Sequence, residues 1–176
     1  MLIWINGTYG AGKTSVARRL AELRLGARVI DPEQIGFMLR RIWPGKTPAD
    51  FQDLPIWREL TLATLRAAAR EPGASTMLVP MTLANEAYFA EIVGGLRAAG
   101  IDVRHFTLIA KPPTLRRRLR RRIDWPSSRR WALARVDECG KALEADIFGV
   151  HVATDDLPID AVARRILNQV GEVNAR

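Results

Sequence analysis

The stretch Gly7-Thr8-Tyr9-Gly10-Ala11-Gly12-Lys13-Thr14 limits the folds open to this chain more than any other segment. Its spacing is G-x-x-x-x-G-K-[ST], that of a P-loop. The glycines let backbone N–H groups turn inward around a polyphosphate, the lysine reaches the β/γ-phosphates, and the hydroxyl that follows can ligate Mg²⁺. Such a loop needs a buried strand before it and a helix after it. Leu2-Ile3-Trp4-Ile5 is an apolar run that reads as the strand. Ser15 to Leu25 reads as an amphipathic helix, with Val16, Leu20 and Leu23 on one side. A bound nucleoside triphosphate is therefore expected to touch Gly7, Tyr9, Gly10, Ala11, Gly12, Lys13, Thr14 and Ser15, with Thr14 on the metal.

The rest of the chain alternates strand and helix. Strands are expected at Arg28–Ile30, Thr76–Val79, Val103–Ala110 and Val150–Ala153. Helices are expected at Pro32–Trp43, Pro55–Arg70, Asn85–Ala99, Thr114–Ile123, Arg129–Phe148 and Pro158–Val170. Glu71-Pro72-Gly73 stops the third helix, and Asp124-Trp125-Pro126-Ser127-Ser128 reads as a break. This alternation defines an α/β fold with a mainly parallel sheet, and 176 residues are most simply one domain. Ligands in such sheets lie beyond the carboxyl ends of the strands, so the residues just after each strand carry the site.

The net charge is +8, and only Lys13, Lys46, Lys111 and Lys141 are lysines. Arginine carries the rest, and six of the seven residues from Arg116 to Arg122 are arginines. A basic balance suits nucleic acid, an anionic membrane surface or an anionic small ligand. Only Trp125 and Trp131 lie near the run and no nucleic-acid motif accompanies it, which argues against nucleic acid. No apolar stretch is long enough to span a membrane, although peripheral contact stays open. Cys139 is the only cysteine, so no internal disulfide forms, and it reads as a packing residue. With a strand and P-loop at the N-terminus in place of a leader pattern, a cytoplasmic location is expected.

Asp31 directly follows the second strand. A carboxylate there can take the proton of an acceptor hydroxyl or help hold Mg²⁺. Asp31-Pro32-Glu33-Gln34 is also a good helix start, with Asp at the cap and Pro at the first position. The two readings are compatible, because a carboxylate has two oxygens. Glu33 is the second candidate. No acid follows the third strand, where many P-loop ATPases carry a Mg²⁺ carboxylate. That absence speaks against a motor and leaves Asp31 as the acid nearest the metal. Pro80, Met81 and Thr82 instead look suited to shaping a pocket for an organic acceptor. Arg118 and Arg122 are spaced to share a helix face and can grip phosphates. Arg40 can reach an acceptor or simply complement its helix dipole. Trp57 reads as core or pocket wall. His105 and His151 have no companion cysteines or histidines, which makes zinc an unsuitable guest.

Together these segments resemble the P-loop kinase superfamily of nucleotide kinases, gluconate kinases and chloramphenicol phosphotransferases. The closer likeness is to the tunicamycin-resistance-type ATP-binding proteins. It is carried by Ile3-Trp4-Ile5-Asn6-Gly7, Asp31-Pro32-Glu33, Leu78-Val79-Pro80 and His105-Phe106-Thr107-Leu108-Ile109-Ala110. The resemblance implies a P-loop NTPase three-layer sandwich, a parallel five-stranded sheet in the order 2-3-1-4-5, and a helical lid at about residues 116–135. It implies ATP with Mg²⁺, Arg118 near the base, Arg122 and Arg135 on phosphates, and Thr154-Asp155 bordering the adenine. Asp31 would be the base, with Glu33, Arg40, Trp57, Met81 and Thr82 around a small-molecule acceptor. Two activities are compatible with it: phosphoryl transfer to a hydroxylated, nucleoside-like antibiotic, or ATP-dependent binding of the antibiotic without transfer.

Overall fold

The computed structural model describes residues 1–24, 26–71, 76–122 and 125–174, with side chains as far as Gly171. Strand β1 (Leu2–Gly7) is buried along its whole length. It must therefore have a neighbour on each side and a layer on each face, as its uninterrupted apolar sequence implies. Those neighbours are β3 (Met77–Pro80) and β4 (Val103–Ile109), both parallel to it, with Ile3 opposite Leu78 and Ile5 opposite Phe106. Beyond them lie β2 (Arg28–Val29) and β5 (Val150–Ala153). The sheet order is β2-β3-β1-β4-β5, as the resemblance implied.

Successive residues of a strand face opposite layers, and the core divides accordingly. Ile3, Ile5, Leu78 and Phe106 pack with Val16 and Leu20 of α1 (Lys13–Leu23), Leu115 of α6 (Pro112–Arg121) and Ile166 of α9 (Ile159–Asn174). Trp4 and Val79 face the other way. They meet Trp57 and Leu65 of α3 (Pro55–Arg70), Phe89 of α4 (Glu86–Phe89), Leu96 of α5 (Gly95–Ala98), and Phe148. A π turn at Ala90–Gly94 joins α4 to α5. A Cβ on Gly95 would lie 2.9 Å from Leu62, so the small residue lets α5 press onto α3.

The expected helix at 129–148 is corrected. Its residues form α7 (Pro126–Ala134), α8 (Val136–Ala142) and a 3-10 turn at Asp146–Phe148. Pro126 belongs to the first turn of α7 and not to the break, because a first-turn proline sacrifices no helical hydrogen bond. The chain leaves helical geometry at Arg135, with φ −102° and ψ 0°. Helix α2 (Glu33–Ile42) follows the expected course, and the loop after it ends in a 3-10 turn at Phe51–Asp53. The expected stop at Pro72-Gly73 and the Asp124 part of the break lie outside the described residues, as does Ile123 of the lid. No helix among the described residues is long and apolar enough to cross a membrane.

Candidate functional site

The site begins where β1 ends. Gly7, Gly10 and Gly12 have φ of 141°, 83° and 99°, the left-handed region that only glycine enters freely. A Cβ on Gly7 would lie 2.7 Å from the Leu108 carbonyl oxygen, and one on Gly10 would lie 2.9 Å from that of Leu115. The loop is thus pressed against β4 and under α6, which side chains at those positions would prevent. Helix α1 starts without a side-chain cap or an acidic residue in its first turn. Its first N–H groups and its positive dipole end are left for an anion. The ammonium of Lys13 donates to the Thr8 carbonyl at 3.2 Å. Burial pushes its pKa down, and the nearby carboxylate of Glu33 works against that shift. Thr14 and Ser15 are exposed on the same turn.

Asn6, buried just before the loop, is a hub that sequence reasoning missed. Its Oδ1 accepts from Gly7 N at 2.8 Å and Leu83 N at 2.9 Å, and its Nδ2 donates to the Leu83 carbonyl at 2.9 Å. The Thr82 hydroxyl donates to the Gly7 carbonyl at 2.8 Å. The chain leaving β3 is therefore bonded to the entrance of the P-loop. Beside Asn6 Nδ2, at 3.3 Å, is Nε2 of His105, whose buried ring packs edge-on against Phe89. Burial holds the His105 pKa down at about 3. No group of three potential metal ligands occurs among the described residues.

On one side of the loop, Arg118 binds the segment after β5. It donates to the Thr154 hydroxyl at 3.0 Å, to the Thr154 carbonyl, and to the Asp155 carbonyl at 3.4 Å. The Asp155 carboxylate accepts from Lys111 N at 3.0 Å. The structure thus brings together the three residues expected around the adenine. Arg122 is the residue just past the end of α6, with φ −72° and ψ 132°, and its side chain lines a cavity. Arg116 pairs with Asp137 across α6 and α8.

That cavity, of about 410 Å³, lies between α2 and α7. Its lining includes Tyr9, Glu33, Phe37, Arg40, Asp50, Phe51, Met81, Thr82, Arg122, Ser127 and Trp131. A smaller one of about 210 Å³ adjoins it through Tyr9, Asp50 and Thr82, and is closed by Tyr88, Arg135 and Cys139. Glu33, Arg40, Met81 and Thr82, expected around an acceptor, line this cavity, and Asp31 is not among its lining residues. Arg40 donates to the Ala49 carbonyl at 2.7 Å and lies 5.3 Å from the Phe51 ring centre, fixing the loop before α3. Asp31 lies one residue before the position expected of it: the helix cap is Pro32, and Asp31 Oδ1 accepts from Glu33 N at 3.0 Å in the turn that leads into α2. Trp57 is corrected. It is fully buried, its indole N–H donates to the Pro32 carbonyl at 3.1 Å, and it supports the cavity from below without lining it.

Two further cleft residues went unassigned from sequence. Asp50 lines both cavities and is largely desolvated, which pushes its pKa up. Its Oδ1 accepts from Gln52 N at 3.0 Å. Trp131 meets Tyr9 edge-on with ring centres 4.9 Å apart. Burial raises the Tyr9 pKa, so its hydroxyl stays protonated. Cys139 is buried in α8, as a packing residue should be.

A family model described as an AAA domain matches residues 2–155. The chain belongs to this family of P-loop proteins, and its fold is kinase-like. Among solved structures it is similar to the tunicamycin resistance protein of Deinococcus radiodurans. The two are 35% identical, the match covers 97% of this chain and 95% of that one, and the TM-score is 0.79. It also shares its fold with a gluconokinase from Sinorhizobium meliloti, with 20% identity, coverage of 97% and 91%, and TM-score 0.68. A shikimate kinase from Acinetobacter baumannii, solved with shikimate, shows 18% identity, coverage of 99% and 95%, and TM-score 0.66. No curated protein matches the chain in sequence.

Proposed function

We propose that this protein is an ATP-dependent phosphotransferase acting on a small hydroxylated molecule of the nucleoside-antibiotic class, with tunicamycin as the first acceptor to test. The observation that carries this reading is an uncapped P-loop helix whose loop, through Tyr9, also lines a cavity of about 410 Å³. The loop holds the β/γ-phosphates with its backbone N–H groups and Lys13. Arg118 and the Thr154-Asp155 segment border the base. The exposed Thr14 hydroxyl and Asp31 would be the residues to hold Mg²⁺, which would neutralise charge on the triphosphate. In transfer, the acceptor oxygen forms a bond to the γ-phosphorus and the γ-phosphorus–bridging oxygen bond breaks. ADP leaves, and the acceptor's proton passes to the second oxygen of Asp31. Arg122 and Arg135 stand on the cavity side, where they can balance charge spread over the phosphoryl oxygens. Closure of the lid, which carries Trp131, over Tyr9 would keep water from competing with the acceptor. Dependence on cellular ATP assigns the activity to the cytoplasm.

The decisive experiment is incubation of tunicamycin and a nucleoside panel with ATP and Mg²⁺, read by mass spectrometry. A product heavier by one phosphoryl group is expected. Asp31→Asn keeps the bond from Glu33 N, since Asn caps as well as Asp, and should lose transfer while ATP still binds. Full transfer by that variant, with transfer lost in Glu33→Gln, would move the base to Glu33. One observation favours a second reading, ATP-gated binding without chemistry: β3 runs out into Met81 and Thr82 with no acid. Tight ATP-dependent capture of tunicamycin with no phosphorylated product would establish it.

A further inference from the structure

The cleft contains a carboxylate that the reaction above leaves unused. Asp50 comes from the loop before α3, its side chain is 13% exposed, and its Oδ2 lies 3.8 Å from Nη2 of Arg135. That separation makes an ion pair without a close hydrogen bond. Among the described residues one hydrogen bond reaches it, from Gln52 N to Oδ1, and the charge of Arg40 acts on it as well. A charge so withdrawn from water is normally held by several short hydrogen bonds. Asp50 is not, and it faces both cavities. It has the surroundings of a group awaiting a donor.

Its partner is equally placed for a second task. Arg135 reaches the cleft because helical geometry ends at that residue. Its guanidinium lies 4.9 Å from the Trp131 ring centre, Trp131 meets Tyr9 at 4.9 Å, and the Tyr9 ring centre is 5.7 Å from Lys13 Nζ. A continuous stack thus runs from the acceptor loop, through the helix break, to the phosphate-binding lysine.

We propose that Asp50 reads a hydroxyl or amine of the acceptor, and that in accepting this donor it releases Arg135 to the transferring phosphoryl group. The inference rests on the phosphotransferase reading. It identifies the acceptor as a molecule that presents a hydrogen-bond donor, and not an anion, to the wall opposite the P-loop. It also makes Arg135 a gate. Without an acceptor the arginine stays with Asp50, and water is a poor substitute because the charge on the phosphoryl oxygens goes unbalanced.

The test uses the full chain with ATP-Mg²⁺ and tunicamycin. Asn at position 50 retains the bond from Gln52 N, so Asp50→Asn should fold. It should raise the acceptor KM about 10- to 100-fold, the usual worth of one hydrogen bond to a charged group. It should leave ATP affinity unchanged and raise acceptor-independent ATP hydrolysis several-fold, which a merely structural residue would not do. Arg135→Gln should lower kcat while changing the acceptor KM less than about threefold, since it touches only the phosphoryl end. Unchanged KM and unchanged basal hydrolysis in Asp50→Asn would overturn the inference. So would a parallel loss of ATP affinity, turnover and thermal stability, which marks a structural prop. If the wild type binds ATP and tunicamycin but transfers nothing, the phosphotransferase reading fails by itself. The present inference would then be judged on tunicamycin affinity and basal hydrolysis in Asp50→Asn, and no change in either would sink it.

Discussion

Replacing Asn6 with Ala tests how the P-loop is anchored. In the wild type, one side chain satisfies three buried backbone groups: Gly7 N at 2.8 Å, Leu83 N at 2.9 Å and the Leu83 carbonyl at 2.9 Å. Asn6 is fully buried, so no bulk water replaces those bonds when the amide is removed. A buried donor or acceptor left unpaired costs about 1–3 kcal/mol. Three such groups imply a loss of at least ~3 kcal/mol, a large part of the ~5–15 kcal/mol that holds an ordinary domain together. The neighbouring tie, from the Thr82 hydroxyl to the Gly7 carbonyl at 2.8 Å, is a single bond. Thr82→Val should therefore cost only ~1 kcal/mol.

The assay is urea unfolding followed by tryptophan fluorescence. Trp4 is a suitable reporter, because its indole donates to the Met81 carbonyl at 3.1 Å in the segment that Asn6 secures. The midpoint should fall while the slope stays constant. Because both side chains act on one joint, the double variant should lose less than the sum of the single losses. ATP affinity should fall about tenfold in Asn6→Ala, or ~1.4 kcal/mol, as Gly7 is freed from its anchor. A destabilisation below ~1 kcal/mol would refute the reasoning, since it would mean that the three backbone groups find other partners.

Lys13→Ala should abolish measurable ATP binding and turnover in calorimetry and a coupled assay, and unchanged binding would undo the P-loop assignment. The His105 prediction follows from its pKa. Burial holds the folded value at about 3, against 6.5 in an exposed chain. The unfolded state therefore takes up a proton that the folded state refuses. The stability at issue is fully present above about pH 6.5 and is lost as pH falls toward about 3, amounting to about 2 kcal/mol between pH 7 and pH 5. Denaturation midpoints at those two pH values should differ by that amount in the wild type and by clearly less in His105→Gln; equal slopes would place the proton elsewhere.

What could be read from the sequence was whatever depends on neighbours along the chain. The P-loop is eight consecutive residues, and its glycine conformations follow from their spacing. The turn into α2 is closed by a local hydrogen bond from Glu33 N to Asp31, although the cap itself falls one residue later, at Pro32. Alternation of elements established a parallel sheet, but strand order came only with the family resemblance, because order depends on which crossover passes over which strand. Trp57 failed as a pocket residue because periodicity gives the face of a helix and not the depth beneath it. Arg118 is tied to Thr154 and Asp155 while Arg122, at the end of α6, lines a cavity, a division of labour that spacing alone does not give. Asp50 gave no local signal beyond a place in a loop, although its carboxylate caps the turn at Gln52. Its place in the cleft depends on α7 and α8 folding back so that Arg135 faces a residue far earlier in the chain. The phosphate half of the site is made by one segment and can be read from it. The acceptor half is assembled from the loop before α3, the exit of β3 and the break after α7, so specificity resides in contacts that no local pattern encodes. That division tells where selectivity should change without loss of ATP: substitutions at Asp50 or Phe37 alter the proposed acceptor wall and touch neither Lys13 nor the α1 N-terminus.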